Sequence, residues 1–110
     1  MMERRISVIS VNYNGYSLTC AMIDSLRRHV TTPLEIVNVD NGSARDEAAP
    51  LRKRYPDVKV LRSERNLGFA GGNNLGFAAA TGDYLLLLNN DTEVTEDTPV
   101  SYTHLRAHET

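Results

Sequence analysis

Four short polar clusters hold most of the side chains that could do chemistry in this sequence, and each directly follows an apolar run. Asn12-Tyr13-Asn14-Gly15 follows Ile6-Ser-Val-Ile-Ser-Val11, and Asp40-Asn41-Gly42-Ser43 follows Leu34-Glu-Ile-Val-Asn-Val39. Arg62-Ser63-Glu64-Arg65-Asn66 follows Val58-Lys-Val-Leu61, and Asn89-Asn90-Asp91-Thr92-Glu93 follows Tyr84-Leu-Leu-Leu-Leu88. Singly, Asn-Gly and Asp-Asn-Gly-Ser are ordinary turn formers, and Asp91-Thr92-Glu93 reads equally well as a solvated strand end. Independent turns would not require four such clusters at equivalent places. Their repetition points instead to a rim that binds a polar ligand.

The elements behind the clusters must place them together. The four apolar runs are short and rich in β-branched residues or leucine, and the first, second and fourth have the nearly continuous apolar character of strands covered on both faces. Between them the spacing turns helical. Leu18, Met22, Leu26 and His29 fall on one face of a first helix, with Ser17 as N-cap and Pro33 as a stop. Ala48, Leu51, Arg52 and Tyr55 form a second, with Asp46 and Glu47 in its first turn and Pro56 ending it. A third helix runs from Gly71 or Gly72 to Thr81, with Gly82 as its C-terminal cap. Alternating strands and helices imply right-handed crossovers and a mostly parallel sheet, a doubly wound α/β fold. In such sheets ligands bind outside the carboxyl ends of the strands, where the strand order reverses. With the order third-second-first-fourth, Asn12, Tyr13 and Asp91 flank one crevice and Asp40 lies next along.

Composition narrows the function classes. The chain has 110 residues, with 12 Lys+Arg against 14 Asp+Glu, so it lacks the basic excess of a nucleic-acid binder working by bulk electrostatics. A single cysteine, Cys20, excludes a disulfide scaffold and a cysteine zinc site, and reads as a small buried apolar residue. His29 reads as a helix-terminal residue and Arg52-Lys53-Arg54 as a solvated helix end. The longest apolar run, Tyr84 to Leu88, is far shorter than the ~20 residues that span a bilayer, and the opening residues lack a secretory pattern. The expectation is a soluble, intracellular domain.

Glycines at 68, 71, 72 and 76 follow the third apolar run, not the first, and lack the Gly-x-Gly-x-x-Gly spacing of a dinucleotide site. No Gly-Lys-Ser/Thr phosphate loop is present. Two readings of the glycines stay open: backbone close to a phosphate, or a helix packed tightly on the sheet.

Four segments in order carry a family likeness: Val8-Ile-Ser-Val-Asn-Tyr-Asn-Gly15, Val39-Asp-Asn-Gly-Ser43, Asn66-Leu-Gly-Phe-Ala-Gly-Gly-Asn-Asn-Leu-Gly76 and Leu86-Leu-Leu-Asn-Asn-Asp-Thr-Glu-Val94. Together they closely resemble the N-terminal half of family 2 glycosyltransferases of the GT-A fold. The likeness is strongest to the rhamnosyltransferase-like branch that builds bacterial cell-surface polysaccharides, and it runs from about Ile6 to Thr98. It implies that residues 1–100 form the Rossmann-like, nucleotide-sugar-binding half of a truncated GT-A domain. Asn12 and Tyr13 would then line the base and ribose pocket, and Asp40 would hydrogen-bond a pyrimidine. Asn66, Gly71, Gly72 and Asn73 would lie near the ribose and diphosphate. Asn89, Asn90 and Asp91 occupy the place of the family's Asp-x-Asp motif, so Asp91 would bind the divalent metal, Mg²⁺ or Mn²⁺. Asn89 stands where the motif has its first aspartate, which leaves Asp91 as the metal ligand. One carboxylate can suffice, because phosphate oxygens and water complete the shell of a hard cation, which offsets the leaving group's charge.

The same resemblance implies a nucleotide-diphosphate-sugar donor, rhamnose on dTDP in this branch, and a saccharide or lipid-linked acceptor. It also implies a cytoplasmic enzyme, with peripheral association at the inner face of the plasma membrane. Transfer would be an inverting displacement whose general base lies in the C-terminal half. No segment here matches that half, and Glu93 and Asp97 hold no family position. The alternative is a non-catalytic nucleotide-binding or interaction module on the same sheet. The last ten residues, 101–110, lack strand or helix logic and resemble a translated adapter read-through, hence a non-native tail. His104 and His108 within it are discounted as metal ligands.

Overall fold

The computed structural model describes residues 5–31, 33–92 and 94. Strands β1 (Ile6–Asn12), β2 (Leu34–Asn41), β3 (Lys59–Ser63) and β4 (Tyr84–Leu87) alternate with helices α1 (Tyr16–His29), α2 (Ala48–Arg54) and α3 (Gly68–Ala79). All three strand pairings are parallel, and the order is β3-β2-β1-β4. This is the expected doubly wound α/β arrangement, and the order reverses between β1 and β4.

Side chains alternate across the sheet, so each strand feeds two cores. Val8 and Ile36 pack with Met22, Ile23 and Leu26 of α1 and Leu51 of α2. On the other face, Ile9, Val37 and Leu85 pack with Ala80, just past α3. Helix α3 approaches that face closely because it presents glycines. A Cβ on Gly76 would sit 2.5 Å from Ile9 Cγ2, and one on Gly72 3.1 Å from Val11 Cγ1. Both glycines are thus packed closely on the sheet.

Several sequence expectations shift. Helix α1 starts at Tyr16 with Gly15 as N-cap, not Ser17. Leu18 is exposed, and Thr19 takes the buried place instead. A polar residue fits there because its hydroxyl bonds Asn12, a partner that apolar periodicity cannot register. Helix α3 begins at Gly68, ahead of Gly71 or Gly72, and its C-cap is Ala80 rather than Gly82. Asp46 and Glu47 precede α2, where Asp46 Oδ1 accepts from the amides of Ala48 and Ala49. Strands β1 and β2 run on into Asn12 and Asn41, and β4 ends at Leu87. Cys20 is buried as expected. Glu93, Asp97, His104, His108 and the 101–110 tail lie outside the described residues.

Candidate functional site

An open cleft of about 330 Å³ lies at the carboxyl rim where the strand order reverses. Its apolar lining is Val11, Leu88 and the rings of Tyr13 and Phe69. Its polar lining is Asn41, Asn66, Asn89, Asn90 and Asp91. Tyr13 is 51% exposed and Phe69 67%, an unusual outlay of aromatic surface around one polar recess. Planar or ring-shaped ligands bind well against such faces. The Asp91 carboxylate, the Asn89 amide and the Asn66 side-chain nitrogen have no hydrogen-bond partner among the described residues.

The rim is held by side chains whose bonds are used up. Asn41 Oδ1 accepts from the Leu67 amide at 3.0 Å, and its Nδ2 donates to Gly68 O at 2.9 Å and Asn66 Oδ1 at 3.2 Å. The Gly68 amide adds a bond to Asn66 Oδ1 at 2.7 Å, which fixes the entry to α3. The same segment crosses directly over Gly42. A Cβ there would lie 2.4 Å from Arg65 C and Asn66 N, and φ is +77°, so only glycine fits.

Beneath the rim, facing α1 and α2, lies a buried polar network centred on Asp40, which is fully buried. Its Oδ1 accepts from Asn12 Nδ2 at 3.2 Å and from the Ser43 hydroxyl. Its Oδ2 accepts from the Glu47 amide at 3.1 Å and from Arg62 Nη1 at 2.6 Å. Asn12, also fully buried, donates to Glu47 Oε1 at 2.9 Å and accepts from Thr19 Oγ1 at 2.7 Å. A buried charge is tolerable only when paired and hydrogen-bonded, and Asp40 is both.

The sequence model of "Glycosyl transferase family 2" matches residues 7–101. The chain belongs to glycosyl transferase family 2. Uncharacterized glycosyltransferase alr2836 of Nostoc sp. is 38% identical over 90 residues, covering 79% of this chain and 28% of the relative. The amylovoran biosynthesis glycosyltransferase AmsB of Erwinia amylovora is 31% identical over 104 residues, covering 88% of this chain and 34% of AmsB. Among solved structures, S. aureus TarS 1-349 in complex with UDP-GlcNAc superposes with a TM-score of 0.73 at 25% identity. That alignment covers 84% of this chain and 28% of TarS 1-349. The chain thus spans about a third of the length of the curated relatives it matches.

On this family 2 fold the residues singled out by sequence divide into two groups. Tyr13, Asn66, Asn89, Asn90 and Asp91 share the cleft. Asn12 and Asp40 do not line it: they are spent on each other, Thr19, Ser43, Glu47 and Arg62. Gly72 is buried against Val11 and Asn41, and Asn73 Nδ2 bonds Phe69 O at 3.0 Å inside α3. Gly71 lies against Leu67. Sequence reasoning missed Phe69, which sits in the quoted glycine-rich segment among the glycines and asparagines that drew attention there. It also missed Asn41 and Thr19, whose roles depend on partners remote in sequence. Among the described residues no cluster of three or more His, Cys, Asp and Glu could hold a metal. Asp91, exposed and without a hydrogen-bond partner among the described residues, is a hard oxygen donor at the cleft, with the Asn89 side chain beside it in the same lining. That donor set suits Mg²⁺ or Mn²⁺ only where phosphate oxygens supply the remaining ligands. No described helix is long and apolar enough to cross a membrane.

Proposed function

We propose that this chain is the donor-binding part of a glycosyltransferase that moves a sugar from a nucleotide-diphosphate-sugar to a saccharide or lipid-linked acceptor. The supporting observation is the cleft itself: two exposed aromatic rings and a carboxylate without a partner among the described residues, at the reversal of a parallel sheet. The TarS likeness, with UDP-GlcNAc bound in that protein, agrees with such an occupant. The relation to AmsB supports a role in polysaccharide biosynthesis. A place in the cytoplasm, at the inner face of the membrane, belongs to the same proposal and comes from the family resemblance.

In this reading the ring of Tyr13 carries one face of the base, and Asn66 Nδ2 donates to the ribose or diphosphate. Asp91 holds Mg²⁺ or Mn²⁺ against the diphosphate, with Asn89 beside it. The cation, when bound, offsets the negative charge that builds on the departing nucleoside diphosphate. The Asp40 network stiffens the rim from below. Rhamnose on dTDP is the donor suggested by the resemblance, so dTDP belongs in the test beside UDP and GDP. Equilibrium dialysis of the three nucleotides, with and without Mn²⁺, is the deciding measurement. At least one should bind with Mn²⁺-dependent affinity, and Asp91→Ala should lose about tenfold or more of it. Binding of none of them, or an Asp91→Ala chain equal to wild type with Mn²⁺ present, would refute the reading.

A further inference from the structure

Asn90 lines the cleft, yet its side-chain nitrogen points to the start of α1. Asn90 Nδ2 lies 3.4 Å from Thr19 Oγ1, in the space that a Cβ on Gly15 would fill: that Cβ would come within 2.7 Å of it. Hydrogen-bond polarity then runs one way. Asn90 donates to Thr19; Thr19 spends its single proton on Asn12 Oδ1 at 2.7 Å; Asn12 Nδ2 spends its two on Asp40 and Glu47 at 3.2 and 2.9 Å. The two acidic ends fix the direction, because a flipped Asn12 amide would set its oxygen against two carboxylates. A chain of donors aligned in this way strengthens each member.

We infer that Gly15 and Thr19 form a seat for Asn90 which positions the Asn89–Asp91 turn, so that Asn90 is a positioning residue and not a ligand of the donor. The inference rests on the reading of Asp91 as the residue that holds a divalent cation with the nucleotide. A bond from Thr92 N to Asn89 O at 3.0 Å closes this turn upon itself. Anchoring Asn90 in its middle therefore orients the carboxylate next to it.

A double-mutant cycle on the full chain tests the seat, with Mn²⁺ affinity in the presence of UDP read from the electron paramagnetic resonance of free Mn²⁺. Thr19→Val keeps the shape and removes the hydroxyl, and Asn90→Ala removes the anchored side chain. Each should weaken Mn²⁺ binding several-fold, the double variant should be no weaker than either single, and Thr19→Ser should retain wild-type affinity. Metal-free UDP binding should be unchanged in Thr19→Val and Thr19→Ser, whose altered side chain lies outside the cleft lining. Gly15→Ala, which invades the seat sterically without emptying a buried bond, should match Asn90→Ala and keeps the test alive should Thr19→Val fail to fold. Losses that multiply in the double variant, or wild-type Mn²⁺ affinity in both Thr19→Val and Gly15→Ala, would overturn the inference. Asp91→Ala run alongside separates the two levels. If it also binds Mn²⁺ like wild type, the underlying cleft assignment fails; if it loses Mn²⁺ while the seat variants do not, only the seat fails.

Discussion

At the scale of single residues, the pairing of Arg62 with Asp40 does the most demanding electrostatic work in the described chain. The carboxylate has no access to solvent, and Arg62 brings it a cation from the neighbouring strand while also donating to Ser43 O at 3.3 Å. Arg62→Ala would leave three neutral donors around a buried charge, so it should lower stability. Urea unfolding should show that loss. Arg62→Lys should lose less, since it keeps the charge but not the second arm to Ser43. A midpoint unchanged in Arg62→Ala would mean that the pair contributes little to the stability of the fold. This residue pair also marks the limit of what was legible at the rim. Asp40 reads from its type and place as a polar group offered to a ligand. Its saturation depends on Arg62, 22 residues away, whose reach emerges only once β2 and β3 are paired in register.

At the scale of elements, the amino end of the sheet, opposite the cleft, is tied by one carboxylate. Glu35 of β2, 8% exposed, accepts from Ser7 Oγ of β1 at 2.7 Å and from Lys59 Nζ of β3 at 3.3 Å. It also accepts from the amide and hydroxyl of Thr81, in the α3–β4 connection, at 2.8 and 2.9 Å. Burial alone would raise its pKa; the bonds from Thr81, Ser7 and Lys59 outweigh that and lower it from 4.5 to about 2. A carboxyl more acidic when folded than when unfolded stabilises the native state above its unfolded value. That contribution, up to about 3 kcal/mol, is lost as pH falls from about 4.5 toward 2. Acid titration of stability should therefore slope downward through that window, and Glu35→Gln should flatten the slope while lowering stability at pH 7. An equally steep slope in Glu35→Gln would assign the effect to other carboxylates. Element boundaries show the same dependence on distant partners. The existence of all seven elements was legible from short apolar runs, helical spacing and capping residues, because apolar runs must be covered whatever covers them; the strand order was assumed, and the structure has it. The start of α3 did not, since it is set by the side chains of Asn41 and Asn66 capturing the Leu67 and Gly68 amides.

At the scale of the whole molecule, the parallel sheet leaves β4 paired only to β1 among the described residues, through four register positions from Ile6–Tyr84 to Ile9–Leu87. The wide polar cleft sits beside this lightly held strand, and Leu87 on it is exposed. A strand with a free edge and outward apolar side chains is a template for pairing with another chain. The 110-residue chain alone should thus self-associate as its concentration rises, in a manner that Leu87→Lys suppresses, since an edge lysine resists burial against a second strand. Sedimentation velocity over a hundredfold concentration range measures this directly, and circular dichroism of the Leu87→Lys variant checks that the sheet is intact. Addition of UDP with Mn²⁺ should leave the association of the wild-type chain in place, because the edge lies outside the cleft's polar lining. A wild-type chain monomeric throughout that range would show that residues beyond the described ones, or the strand's own twist, already protect β4.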